Sequence, residues 1–232
     1  MFSSLSDVEC LALLTSLQVA GRALAFTLPL ALLLGWLLAR YRFPGRVLLD
    51  ALVHAPLVLP PVVVGYLLLL TFGVQGPLGR WLDEALGWRL VFTTNGAALA
   101  AGVVALPIMV RTIRLSIENI DPRLERAARS LGAGPVDCFF SVTLPLALPG
   151  ILAAALLGCA LCLGEFGAVI TFAANVPGET QTLALAIYGA LQTPGGEPMA
   201  LRLALLSVAI ALGALLAADW LGRHARAVQH GV

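Results

Sequence analysis

An all-α integral membrane protein with five transmembrane helices is the fold class this sequence predicts, and three observations predict it. Of the 232 residues, 59% are hydrophobic and only 12% charged, with a mean hydropathy of +0.94, well above the roughly 45–50% apolar content of soluble domains. The apolar residues gather into five runs close to the ~20 residues that cross a hydrocarbon core. The basic residues fall between those runs in a one-sided pattern. Residues 1–232 therefore read as a single transmembrane domain.

The first run is 21–39, with Arg22 near enough to its end to snorkel to the interface. The segment before it, Met1 to Glu9, is acidic and the apolar run lacks a small-residue cleavage site, so the first run reads as a retained span. The second, 51–72, holds no charge but is punctuated by Pro56, Pro60 and Pro61. The third, 91–110, stops at Arg111, and the fourth, 143–164, lies inside the uncharged stretch from Cys138 to Gly164. The fifth, 199–221, has sixteen uncharged residues between Arg202 and Asp219, which brings its ends to the head groups. Between the fourth and fifth runs, 166–196 is apolar but broken by "NVPGETQT" and "QTPGGE"; it reads as an external segment that dips partly into the membrane. Broken backbone at that depth is tolerated where it is buried in protein or lines a wet cavity.

Orientation follows from arginine. Ten of the fourteen arginines lie after the first run, after the third run and in the C-terminal tail; Arg22, Arg80, Arg89 and Arg202 lie on the other side. Short cytoplasmic loops carry the basic excess, so the N-terminus is outside and the C-terminus inside. The chain is expected to cross the cytoplasmic membrane several times, surrounded by lipid.

Several chemistries are excluded. The chain has no lysine, and the phosphate-binding loop of an ATPase needs one to reach the nucleotide phosphates; no catalytic residue is expected. A net charge of +1 gives nucleic acid no electrostatic footing. Cys159 and Cys162 form C-x-x-C inside an apolar run, where a thiolate is poorly solvated, so they read as small packing residues. His54 has no partners at metal-ligand spacing, and no metal site is expected.

The stretch "DPRLERAARSLGAGP" (Asp121 to Pro135) is the most informative. Asp121 followed by Pro122 is a helix start, and Gly132, Gly134 and Pro135 supply the stop; the expected helix covers about 122–133. So short a helix is marginal alone. Leu124, Ala127, Ala128 and Leu131 make one apolar stripe, with Arg123, Arg126 and Arg129 largely off it. An interfacial helix against anionic lipid is one reading; a shallow socket for another protein is the one that the small alanines favour.

Glu125 to Pro145, "ERAARSLGAGPVDCFFSVTLP", resembles the cytoplasmic loop motif of ABC importer permeases: Ala127, Ala128, Gly132, Val142, Leu144 and Pro145 match. The motif's glutamate position falls on Arg126, and Glu125 sits one residue early. "ARYRFPG" (Ala39 to Gly45), "APLVLPPVVVGYLLL" (Ala55 to Leu69), "LGEFGAVITFAANVPGET" (Leu163 to Thr180) and "QTPGGE" (Gln192 to Glu197) are similar to the permease of molybdate importers. The resemblance implies a type I ABC importer permease fold and transport of molybdate, with tungstate or sulfate as alternatives. It implies that 122–133 is a coupling helix whose Leu124, Glu125, Arg126, Ala127, Ala128, Leu131 and Gly132 meet an ATPase. It implies as partners a second copy of the chain, two ATP-binding subunits that hold the ATP and magnesium, and a periplasmic or extracellular molybdate-binding protein. A secondary anion transporter or channel is the alternative from another class; the missing mid-span charges and repeats speak against it.

Pathway or gate candidates are Pro60, Pro61 and Gly65 in the second run and Gly164, Glu165, Phe166 and Gly167 after the fourth. The prolines read equally as a packed kink or as a gate bend. Glu165 at membrane depth is a functional candidate, but a carboxylate repels an oxyanion. Its expected role is structural, capping a broken helix or pairing with an arginine such as Arg202.

Overall fold

The structure, a computed structural model, describes residues 6–230, and side chains of the last helix through residue 213. Its first helix, α1 (Asp7–Arg40), begins at a reciprocal cap: the Ser6 hydroxyl accepts from the Glu9 amide, and the Glu9 carboxylate accepts from the Ser6 amide. That cap carries α1 well beyond the expected 21–39, to 34 residues or about 51 Å at 1.5 Å per residue.

The second run is two helices, α2 (Arg46–Val58) and α3 (Pro61–Phe72), bent by 120° at the break. Pro60 and Pro61 lack amide hydrogens there and disfavour helix in the residue before them. A short helix α4 (Pro77–Leu86) leads to α5 (Thr94–Glu118), whose first turn is capped by Thr93. Then come α6 (Pro122–Ser130), α7 (Pro135–Cys138), a π-helical turn (Phe139–Thr143) and α8 (Leu144–Gly164). The remaining helices are α9 (Gly167–Ala173), α10 (Leu183–Leu191) and α11 (Glu197–His230).

Among the described residues, α1, α5 and the continuous helix Pro135–Gly164 are long and apolar enough to cross a membrane, and the bent α2–α3 pair makes up to four. The expected fifth span, 199–221, falls on α11, and its side chains from residue 214 onward lie outside the described residues.

The core lies where α1, α5 and α8 meet. Ala97, Ala98, Ala100, Ala101 and Ala105 of α5 are all buried, and small residues let membrane helices approach closely. A Cβ on Gly35 of α1 would lie 3.0 Å from Ile113 of α5, and one on Gly158 of α8 would lie 2.5 Å from Met109 Sδ. Arg22 Nη1 donates to Asn95 Oδ1 at 2.9 Å. The pairs Arg22–Asn95 and Gly35–Ile113 make α1 and α5 parallel. Met109–Gly158 and Ser116–Ala147 make α8 antiparallel to them, the relative directions expected of spans one, three and four.

The segment after α8 is folded against the bundle. α9 packs on α3, and α10 packs between α1 and α11. Ser16 of α1 ties that corner: its hydroxyl accepts from the Leu183 amide at 2.7 Å and donates to Ala12 O at 2.9 Å. Glu9, buried on α1, accepts from Arg202 Nε of α11 at 2.8 Å. Arg202 is therefore engaged with Glu9 and not with Glu165.

Candidate functional site

The charged helix α6 forms by the local chemistry expected of it. Asp121 Oδ1 accepts from the Arg123 amide at 2.8 Å, and Pro122 opens the helix. At the other end Gly132 takes φ +97°; its amide donates to Arg129 O at 3.0 Å, and the Ala133 amide donates to Ala128 O at 3.1 Å. These two bonds are the Schellman closure, which needs a left-handed residue where glycine stands. The helix ends at Ser130, three residues short of the expected 122–133, because Gly132 reverses the chain.

Glu125 is the one buried residue of α6. Its Oε1 accepts from Arg40 Nε, at the end of α1, at 2.9 Å and from Thr143 Oγ1, at the end of the π-helical turn, at 3.0 Å. Arg40 Nη2 lies 2.8 Å from the same oxygen but off the hydrogen-bonding direction. Leu124 is 48% and Leu131 89% exposed, and Arg123, Arg126 and Ala127 are exposed beside them, with Ala128 half-buried. The helix thus turns a carboxylate inward and presents leucine, alanine and arginine outward. Residue 126, at the acidic position of the motif, is an exposed arginine.

Of the expected pathway residues, Pro60, Pro61, Gly65, Glu165 and Gly167 come together where α3 packs on α9. A Cβ on Gly65 of α3 would lie 2.7 Å from Ala168 O, and one on Gly167 of α9 would lie 2.8 Å from Pro61. Pro60 precedes that contact as the N-cap of α3. Glu165 is buried, and its Oε1 accepts from the Ala168 amide at 2.8 Å. Of the two structural roles open to it, the one adopted is the helix cap. Phe166 packs its ring on Tyr188 of α10, centroids 5.1 Å apart. Gly164 stands apart, with nothing within 4 Å of a Cβ placed there.

Sequence reasoning missed a cleft of about 480 Å³ between α2 and α5. It holds a chain of polar contacts: Asp50 Oδ1 lies 3.3 Å from Arg114 Nη1 and 3.2 Å from His54 Nδ1, and Arg114 Nε donates to Glu118 at 2.8 Å. Arg111 also lines it. The i, i+4 spacing of Asp50–His54 and Arg114–Glu118 was a readable signal; the meeting of the two helices was not. Cys138 and Cys162 are buried as free thiols, and no group of metal-ligating side chains is found among the described residues.

Residues 31–227 match the family described as binding-protein-dependent transport system inner membrane component. The chain is 51% identical over 222 residues to the molybdenum transport system permease protein ModB of Escherichia coli strain K12, covering 96% of this chain and 97% of that one. It is 50% identical over 216 residues to ModB of Haemophilus influenzae, covering 93% and 94%. It is 41% identical over 161 residues to the sulfate transport system permease protein CysT of Escherichia coli strain K12, covering 69% and 58%. In fold it is similar to a chain in the crystal structure of a bacterial alginate ABC transporter in complex with an alginate pentasaccharide-bound periplasmic protein, with a TM-score of 0.76 at 19% identity, covering 94% of this chain and 80% of that chain. A helical bundle built on close α1–α5–α8 packing, a capped charged helix between spans and a near full-length match together give the assignment: the chain belongs to the binding-protein-dependent transport system inner membrane components.

Proposed function

We propose that this chain is the permease subunit of an ATP-driven importer that carries molybdate across the cytoplasmic membrane. It works as a homodimer with five spans per copy, N-terminus outside and C-terminus inside. Two separate ATP-binding subunits hold ATP and magnesium and grip α6 at its outward face; a binding protein on the external side delivers the oxyanion. ATP closes the ATPase pair, α6 follows, and the spans switch from inward-facing to outward-facing. The gate lies at the breaks around Pro60, Pro61, Gly65, Gly164, Glu165, Phe166 and Gly167.

The observation that carries the reading is the similarity to molybdenum permeases over 96% of the chain, which includes both the spans and the charged helix. The exposed leucine and alanine side chains of α6 support docking to a partner. A ligand shifts a conformational equilibrium only by binding the two states differently, and α6 is where that difference enters. The absence of lysine leaves nucleotide hydrolysis to other subunits. A secondary carrier or channel loses its ground with family membership. Sulfate is the second reading, favoured by the 41% identity to the sulfate permease, and tungstate is a third.

The test is reconstitution in liposomes with the ATP-binding subunit and the binding protein, comparing ATP-driven uptake of molybdate, tungstate and sulfate. Molybdate uptake that stops when ATP or the ATPase is omitted supports the reading. Uptake that persists without them sinks it.

A further inference from the structure

The carboxylate of Glu125 reaches two different membrane-crossing helices at once. Arg40, which donates to it at 2.9 Å, is the last residue of α1; Thr143, which donates at 3.0 Å, is the residue before α8. Its backbone carbonyl accepts from Cys138 Sγ at 3.8 Å. Close by, Trp36 of α1 packs on Phe139 of the π-helical turn, with ring centroids 5.0 Å apart. The ends of α1 and α8 therefore meet over Glu125, and α6 is fastened to both through one side chain.

That side chain has little left to offer outward. It is 12% exposed and Arg40 is 17% exposed. Removing one member of such a buried pair strands the other's charge, and charge-assisted hydrogen bonds hold a fixed geometry. A glutamate that reached for another protein would have to abandon Arg40 and Thr143 together. The displacement in sequence says the same: one residue along a helix is about 100° around its axis, so a carboxylate at 125 leaves the face that residue 126 occupies.

We propose that Glu125 is a positioning residue of the transport cycle, latching α6 to the ends of α1 and α8 through Arg40 and Thr143 while making no contact with the ATP-binding subunit. This rests on α6 being the coupling helix, as argued above. Movement of α6 then pulls on α1 and on the π-helical turn at the same time. A π-helical turn is a locally weak piece of helix, often found at functional sites, and it sits where that pull arrives.

Three variants test the latch. Glu125→Ala removes it, Glu125→Gln keeps an oxygen but no charge, and the exchange Arg40→Glu with Glu125→Arg reverses the pair. In the full-length chain in lipid nanodiscs, without partners, amide hydrogen exchange over 122–131 should speed about tenfold in Glu125→Ala, within the range for residues of one network. Glu125→Gln should speed it less, and the reversed pair should recover part of the loss. Unchanged exchange in Glu125→Ala overturns the latch whatever the chain transports.

In the reconstituted complex, Glu125→Ala should lower molybdate uptake per ATP hydrolysed about tenfold by the same coupling range, while the ATP-binding subunit still co-purifies with the permease. Loss of co-purification in Glu125→Gln overturns the proposal, because it would reveal a direct contact. A wild-type complex that takes up no oxyanion overturns the function proposed above, and the exchange measurement on the isolated chain tells that failure from failure of the latch.

Discussion

Two of the expected gate glycines should answer oppositely to the same substitution. At Gly65 a Cβ would lie 2.7 Å from Ala168 O, 2.8 Å from Thr171 Cβ and 2.9 Å from Ala168 Cα. Carbon atoms pack comfortably at about 3.5–4.0 Å, and two of these three neighbours are backbone, so α3 and α9 must part by roughly that shortfall. They cannot slide instead, because Gly167 holds the same interface from the other helix against Pro61. Overpacking of this kind costs about 1–3 kcal/mol, and replacing a helical glycine by alanine returns about 0.5–1 kcal/mol. Gly65→Ala should therefore be net destabilising by roughly 1–2 kcal/mol, an apparent Tm lower by about 2–8 °C for a chain of this length. At Gly164 nothing lies within 4 Å, so Gly164→Ala should leave Tm unchanged or raise it. Buried Cys138 and Cys162 supply the assay: a thiol-reactive dye during a thermal ramp of the detergent-solubilised chain. Equal melting of the two variants, or a more stable Gly65→Ala, would refute the view that backbone contact at Gly65 joins α3 to α9.

Ala127→Arg, on the exposed face of α6, should weaken association with the ATP-binding subunit at least tenfold, a loss of about 1.4 kcal/mol, without changing Tm; co-purification measures the first and the dye ramp the second. Ala128→Arg should do both, because Ala128 is half-buried. Ser16→Ala leaves the buried Leu183 amide without its acceptor and should cost about 1–3 kcal/mol, read as a lower Tm with α10 exchanging its amides first. Glu165→Gln keeps an oxygen for the Ala168 amide and should retain transport. Glu165→Leu loses the cap, worth about 1 kcal/mol, and should melt earlier; abolished uptake by a correctly inserted Glu165→Gln would contradict the capping role.

Features set by neighbouring residues were readable from the sequence. Asp121 and Pro122 start α6 where expected, and Gly132 stops it at φ +97°, since a cap and a left-handed closure are decided within a few residues. The start of α1 is equally local: the expected span begins at Gly21, but the Ser6–Glu9 capping box sets the helix going at Asp7. Pro60 and Pro61 announced a break in the second run but not its 120°, because that angle depends on how α3 seats against α9. Long-range pairings left no trace. Arg40 and Glu125 are 85 residues apart and Glu9 and Arg202 are 193 apart, and no periodicity links them. The motif alone sets Glu125 on the docking face, and Arg40 turns it inward.

The division between whole and broken helices bears on how such a chain changes shape. In the α1–α5–α8 trio roughly half of the buried residues are alanine or glycine, which surrender almost no side-chain entropy on packing and bring backbones together. At the α2–α3 break Pro60 and Pro61 have no amide hydrogen to satisfy, and at the α8–α9 break the Ala168 amide donates to Glu165. Irregular backbone so provisioned survives at membrane depth. Gly65 and Gly167 then fasten α3 to α9 from both sides, so neither half-helix bends without carrying the other. Under the proposed function, a pull that enters at Glu125 reaches α1 through Arg40 and the π-helical turn before α8 through Thr143. On that proposal the α3–α9 pair, joined at Gly65 and Gly167, is the part of the gate that moves, and Glu165, which accepts from the Ala168 amide, caps α9 and is not a ligand of the anion.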